Sequence, residues 1–148
     1  MTVSPSFTRK RSWARRYAMQ ALYQWQMTRQ ELGVIDDQFF TDQDMDRADT
    51  DYFRELLHQV MTRAAAIDAM LEPFLDRPLA QVDPVEQAIL RIAVYELRYR
   101  LDIPYKVIIN EAVELAKRFG AEQGHRFING VLDRAAHEIR DQEIHACS

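Results

Sequence analysis

The amino-acid sequence predicts an all-α protein, and three observations carry that reading. Apolar residues recur at three- and four-residue spacing through most of the 148 positions. No segment alternates polar and apolar residues with the period of two that marks a half-buried strand. Only four Gly and five Pro occur, whereas Met, Leu, Ala, Gln, Glu and Arg, all helix-favouring, are abundant.

Taken in chain order, residues 1–10 read as a flexible basic arm, with the first helix starting near Ser12. Ala14, Ala18, Ala21, Leu22 and Trp25 then form a buried helical stripe. Gly33 interrupts the chain, and Val34 to Phe40 predicts a short helix before an acidic loop over residues 41–51. Asp49 or Thr50 can cap a long helix whose face carries Phe53, Leu56, Leu57, Val60, Ala64, Ile67 and Leu71, and which Pro73 bounds. A subdomain hinge is expected at residues 73–83. Asp83-Pro84-Val85-Glu86 is a helix start: a capping carboxylate, a proline at the first helical position and an acid in the first turn. The stretch VEQAILRIAVYEL is apolar on most sides, as a central helix should be. Ile103-Pro104 opens a further helix with Ile108, Ala112, Leu115 and Phe119 on its core face, ended by Gly120. The last helix buries Ile128, Val131, Leu132, Ala135 and Ile139. Gly130 within it costs about 1 kcal/mol relative to Ala, which predicts a close approach of another helix or a ligand. The expectation is five or six main helices in two bundles, one domain over residues 11–140, and a flexible tail over 141–148.

Charge is distributed unevenly. The whole chain is acidic, with 19 Lys+Arg against 23 Asp+Glu. Residues 1–30 nevertheless hold six Lys/Arg and no acid, and residues 31–55 hold nine acids against two arginines. Such asymmetry points to two distinct partners, or to a surface kept off nonspecific polyanions. Cys147 is the only cysteine, so no disulfide framework is expected, and a reducing, cytoplasmic setting fits. No apolar run approaches the roughly 20 residues of a membrane span, and the basic N-terminal segment lacks the apolar core of a signal peptide.

Catalytic chemistry has no visible carrier. There is no phosphate-cradling glycine loop, no nucleophile elbow and no metal-spaced Cys/His cluster. His58, His125, His137 and His145 are scattered. No enzymatic activity, cofactor or metal is expected.

The basic segment RKRSWARR, residues 9–16, is the informative feature. Arg9, Lys10, Arg11, Arg15 and Arg16 sit where the helix macrodipole disfavours cations, so the helix itself does not explain them. Trp13, Tyr17 and Tyr23 interleave with these cations. Tyr23 falls off the apolar stripe, whereas Trp13 and Tyr17 can serve either as core or as stacking faces. Cations for phosphates together with aromatic faces for bases are what single-stranded RNA binding requires.

The stretches AMQALYQWQ (18–26), YFRELL (52–57), VEQAILRIAVYEL (85–97), IPYKVIINEAVELAKRFG (103–120) and FINGVLDR (127–134) resemble the bacterial NusB family of transcription antitermination factors. The resemblance runs from about residue 11 to 139. It implies two three-helix bundles packed together, without sheet. It further implies a heterodimer with the ribosomal protein NusE, binding to boxA RNA of nascent ribosomal RNA transcripts, and assembly with other Nus factors on RNA polymerase. By position, it implies RNA contacts at Arg11, Arg15, Tyr23, Gln123, Arg126 and Phe127, and a NusE-facing role for Glu86 and Tyr105. The chain departs from the family pattern at Ser12-Trp13, where arginines are common, and at Gln123, where an acid is common. Two alternatives stand beside this reading: a helical interaction scaffold with a merely solubilising arm, and the RNA-binding domain of a ribosomal RNA methyltransferase. The second lacks any strand–glycine loop–helix segment for a methyl donor.

Overall fold

The computed structural model describes residues 4–42, 44–141 and 144, and among these residues every regular element is helical. The chain divides into two compact units, Met1–Thr62 and Arg63–Ser148.

In the first unit, α1 (Pro5–Thr28) packs against α2 (Leu32–Asp42) and α3 (Thr50–Thr62). Its start is set by local chemistry. The Ser4 hydroxyl accepts from the Phe7 N–H at 3.1 Å, and Pro5 occupies the first helical position. This corrects the expected flexible arm: residues 5–10 are helical, and residues 1–3 lie outside the described residues. Ala14, Ala18 and Ala21 are fully buried, and their small side chains let α3 approach closely. Phe53, Leu56, Leu57 and Val60 fill the space opposite, with Ile35 and Phe39 from α2. Tyr17, Phe39, Phe40 and Phe53 form a run of ring contacts at centroid separations of 5.6–6.5 Å. Asp49 caps α3 as expected, its carboxylate accepting from the Tyr52 N–H at 3.1 Å. Gly33 does not interrupt the chain but sits in the first turn of α2.

The second unit contains α4 (Ala64–Leu71), α5 (Pro84–Tyr99), α6 (Tyr105–Phe119) and α7 (Gly124–Ile139). α5 is central, buried from Ala88 through Leu97, with α4, α6 and α7 packed on it. Its predicted start is observed: Asp83 accepts from the N–H groups of Val85 at 2.9 Å and Glu86 at 3.3 Å. Arg91 ties α5 to α4 through a two-pronged pair with Asp68, at 2.9 and 3.0 Å. Beyond α7, Arg140 is buried and donates to the carbonyls of Leu97 (2.7 Å), Ile103 (2.9 Å), Arg100 (2.9 Å) and Glu96 (3.2 Å). One guanidinium thereby caps the carbonyl end of α5 and its following turn, where the macrodipole favours a cation.

Three expectations are corrected in this region. The long helix over residues 50–71 is two helices, broken at Arg63 (φ −102°, ψ 16°). No Gly or Pro stands there; α3 packs on α1 and α4 packs on α5, so the two halves serve different cores. The division of the chain accordingly falls at 62/63, and residues 73–83 hold short 3-10 turns inside the second unit. Gly130 is not a close-approach site, since a Cβ there would meet only Arg134 Nη1, at 3.5 Å. Of the expected tail, only Asp141 and Ile144 lie within the described residues.

Candidate nucleic-acid interface

The candidate residues fall into two groups, one in each unit. On α1, Arg9, Arg16 and Tyr23 stand seven positions apart. Seven residues make nearly two turns, so these side chains form one stripe along the helix, about 10.5 Å apart. Arg9 and Lys10 are exposed, Arg16 is half-buried, and Tyr23 is 38% exposed. Trp13 belongs to the same face. Its ring lies 5.5 Å from that of Tyr17, with the guanidinium groups of Arg16 and Arg47 over it at 4.5 and 5.1 Å. Stacking of this kind contributes about 0.5–1 kcal/mol at an exposed site and restrains the long arginine side chains in place. Tyr17 resolves to core: it is buried, and its hydroxyl donates to the Asp44 carbonyl at 3.1 Å.

Arg11 and Arg15 turn inward, contrary to expectation. The Arg11 guanidinium lies 4.8 Å from the Phe7 ring and 3.9 Å from the Tyr52 ring, and its Nε donates to Asp49 at 3.4 Å. Arg15 is only 4% exposed and lies 5.6 Å from the Tyr52 ring. The physical reason is helical phase. Arg15 precedes Ala18 by three residues and Leu22 by seven, so it shares their buried face. Asp49, drawn from the acidic segment, pairs with Arg11 and caps α3, and its N–H donates to the Lys10 carbonyl at 3.0 Å. Part of the acidic segment thus supports α1 rather than standing apart for a partner.

The second group surrounds the turn between α6 and α7. Gln123 is exposed in a left-handed conformation (φ 66°) immediately before α7, and Arg126 is exposed on its first turn. Phe127 is half-buried beneath the Arg77 guanidinium at 4.7 Å. Arg77 in turn pairs with Asp76 at 2.8 Å, which holds the Asp76 carboxyl below its ordinary range and raises Arg77. Arg77 was not anticipated from sequence, because nothing local joins it to Phe127.

Glu86 also departs from expectation. It is 5% exposed, not an open first-turn acid. Its Oε2 accepts from the Ala121 N–H at 3.2 Å, and a Cβ on Gly124 would stand only 2.7 Å from that oxygen. Burial pushes its carboxyl upward, reinforced by Asp83 and opposed by the Ala121 N–H and by Arg77. Glu86 therefore latches the turn that carries Gln123 and leads into Arg126 and Phe127. Tyr105 is half-buried at the start of α6. Exposed Leu101 and Val107 stand nearby in sequence.

The NusB family model matches residues 12–137. Among relatives, the transcription antitermination protein NusB of Shewanella amazonensis is 54% identical over 132 residues, covering 89% of this chain and 96% of its own. Its counterpart from a Marinomonas species is 51% identical over 144 residues, covering 96% and 83%. Among solved structures, T. maritima NusB superposes with a TM-score of 0.76 at 29% identity, covering 93% of this chain and 94% of its own. Antitermination factors NusB and NusE in complex with dsRNA include a chain of the same fold, with a TM-score of 0.74 at 23% identity and coverage of 86% and 96%.

Proposed function

Because the chain belongs to the NusB family of transcription antitermination proteins, we propose that it is a nonenzymatic RNA-binding adaptor. With ribosomal protein NusE it binds single-stranded boxA RNA in nascent ribosomal RNA transcripts. It then joins other Nus factors on RNA polymerase, in the cytoplasm. The observation that carries this reading is the Arg9–Arg16–Tyr23 stripe, with its stacked Trp13. It offers charge for phosphates and a ring face for an unpaired base. A solved fold relative is a complex of NusB, NusE and dsRNA, which supports both partner classes. Gln123, Arg126 and Phe127 supply a second RNA-facing edge in this reading. Arg11 and Arg15 act behind the stripe, through Tyr52. The NusE-facing surface is assigned to the start of α6, at Tyr105 with exposed Leu101 and Val107; Glu86, held by the Ala121 N–H beyond the other end of α6, is left out of it.

The test is a salt titration of boxA and scrambled RNA, with NusE present and absent. Taking about three phosphate contacts at ~0.7 each, log K should fall against log salt with a slope near −2. Substituting both Arg9→Ala and Arg16→Ala should make the slope shallower by about 1.4. Tyr23→Ala should cost on the order of 1–3 kcal/mol with the slope unchanged. An unaltered slope in the double variant would mean that the basic stripe only solubilises the protein.

A further inference from the structure

Beside the basic stripe, the first unit carries a groove of about 390 Å³ that the RNA reading above leaves without a role. Its walls are Gln20, Tyr23, Gln24 and Met27 of α1, and Gln38 and Phe39 of α2. That volume lies at the low end of the roughly 300–1,000 Å³ typical of small-ligand sites. No charged side chain lines it. The Gln24 amide donates to the Gln30 carbonyl oxygen at 2.7 Å and to that of Gln38. This arrangement uses both N–H groups of Gln24 and fixes its orientation. It leaves the Gln24 carbonyl oxygen, and the NH2 groups of Gln30 and Gln38, for an incoming group. Tyr23 and Met27 expose apolar surface at the same place, 38% and 58% respectively.

We propose that this groove takes one unstacked nucleobase of the bound RNA, with the Tyr23 ring as its stacking wall and the carboxamides of Gln24 and Gln38 reading its edge. Three features favour a base over another occupant. The neutral lining offers nothing to a phosphate or to a charged peptide side chain. A fixed acceptor beside fixed donors complements the adjacent donors and acceptors on a base edge, which water cannot satisfy once the base is buried. The groove also continues the stripe that begins with Arg9 and Arg16, so a strand tracked by those cations meets it next. The inference rests on the RNA-binding reading and extends it: the arginines supply affinity for any strand, and the groove supplies discrimination between bases.

The experiment uses the full chain and boxA oligonucleotides carrying 2-aminopurine at one position at a time. One position should show fluorescence quenched on binding, and Tyr23→Ala should abolish that quench. At that position, Gln24→Ala and Gln38→Ala should each reduce discrimination between bases by about fivefold to a hundredfold. The salt slope should not move, because no charge is removed. Both residues lie at least partly at the surface, and unchanged helix content and melting temperature verify the fold. If the parent binds RNA with the expected salt slope but base discrimination survives both glutamine substitutions, the groove is not a base pocket and the RNA reading stands. If the parent fails to bind RNA at all, both readings fall. If the glutamine variants lose NusE and retain RNA discrimination, the groove is a protein contact and the inference is overturned.

Discussion

The packing of Gly124 against Glu86 makes a double-mutant cycle decisive. A Cβ at position 124 would meet Glu86 Oε2 at 2.7 Å, its Cδ at 2.9 Å and Oε1 at 3.3 Å. In Gly124→Ala the carboxylate must move, and it then loses the Ala121 N–H. A hydrogen bond to a charged group contributes about 1.5–3 kcal/mol. The alanine returns at most ~1 kcal/mol of helix propensity. The expected net is destabilisation by about 1–2 kcal/mol at neutral pH, a fall in melting temperature of several degrees. In the Glu86→Ala background the obstruction is absent, so adding Gly124→Ala should be neutral or stabilising. The interaction energy between the two sites should therefore be about 2 kcal/mol, within the range for residues in contact. Urea unfolding of the four proteins measures it. Additive effects, within about 0.5 kcal/mol, would refute the latch. The pH dependence gives a second arm. Burial raises the Glu86 pKa, so the folded state favours the protonated form. Its stabilising contribution is fully present below the unfolded pKa and is lost as pH rises through the folded value. Glu86→Gln should hence be at least as stable as the parent at pH 7, and that advantage should vanish near pH 4.

Other substitutions test the remaining assignments. Glu86→Arg should destabilise the second unit rather than merely weaken NusE binding, because it forces a cation into a buried site; an unchanged melting temperature would contradict the burial of Glu86. Gly130→Ala should stabilise by about 0.5–1 kcal/mol in urea unfolding, since the new methyl meets only the end of Arg134; a loss of stability would restore the close-approach expectation. Arg140→Met should cost at least ~3 kcal/mol by stranding several carbonyls, and hydrogen exchange should show the end of α5 opening first.

Much of the helical fold was legible because several helices state their own starts. Ser4-Pro5 and Asp83-Pro84 mark starts through capping chemistry, although the cations that follow the first give it the look of an arm. The orientation of the charged residues was partly legible too. Arg15 leads Ala18 and Leu22 by three and seven residues, and Glu86 leads Ile89, Leu90 and Ala93 by three, four and seven. That phase places both on buried faces, whereas charge type alone points to exposure. Arg9, Arg16 and Tyr23 share a stripe on the same reckoning. The break at Arg63 was not legible, since VMTRAAA is sound helix sequence and only the change of packing partner interrupts it. Nor could spacing join Arg140 to the carbonyls of Leu97 and Ile103, or Arg77 to Phe127, because such pairings exist only once α5, α6 and α7 have been assembled.

The division of the chain at Thr62 also bears on the order of events during synthesis. The residues that hold α1 within its unit, from Ile35 to Asp49, Tyr52 and Val60, are all translated before Arg63. At about 5–20 residues per second, the rest of the polypeptide emerges over several further seconds. During that interval Arg11 and Arg15 already have Tyr52 and Asp49 available, so two of the helix's cations can be covered before the second unit is made, and only the outward-facing ones stand open to the ribosome's own RNA.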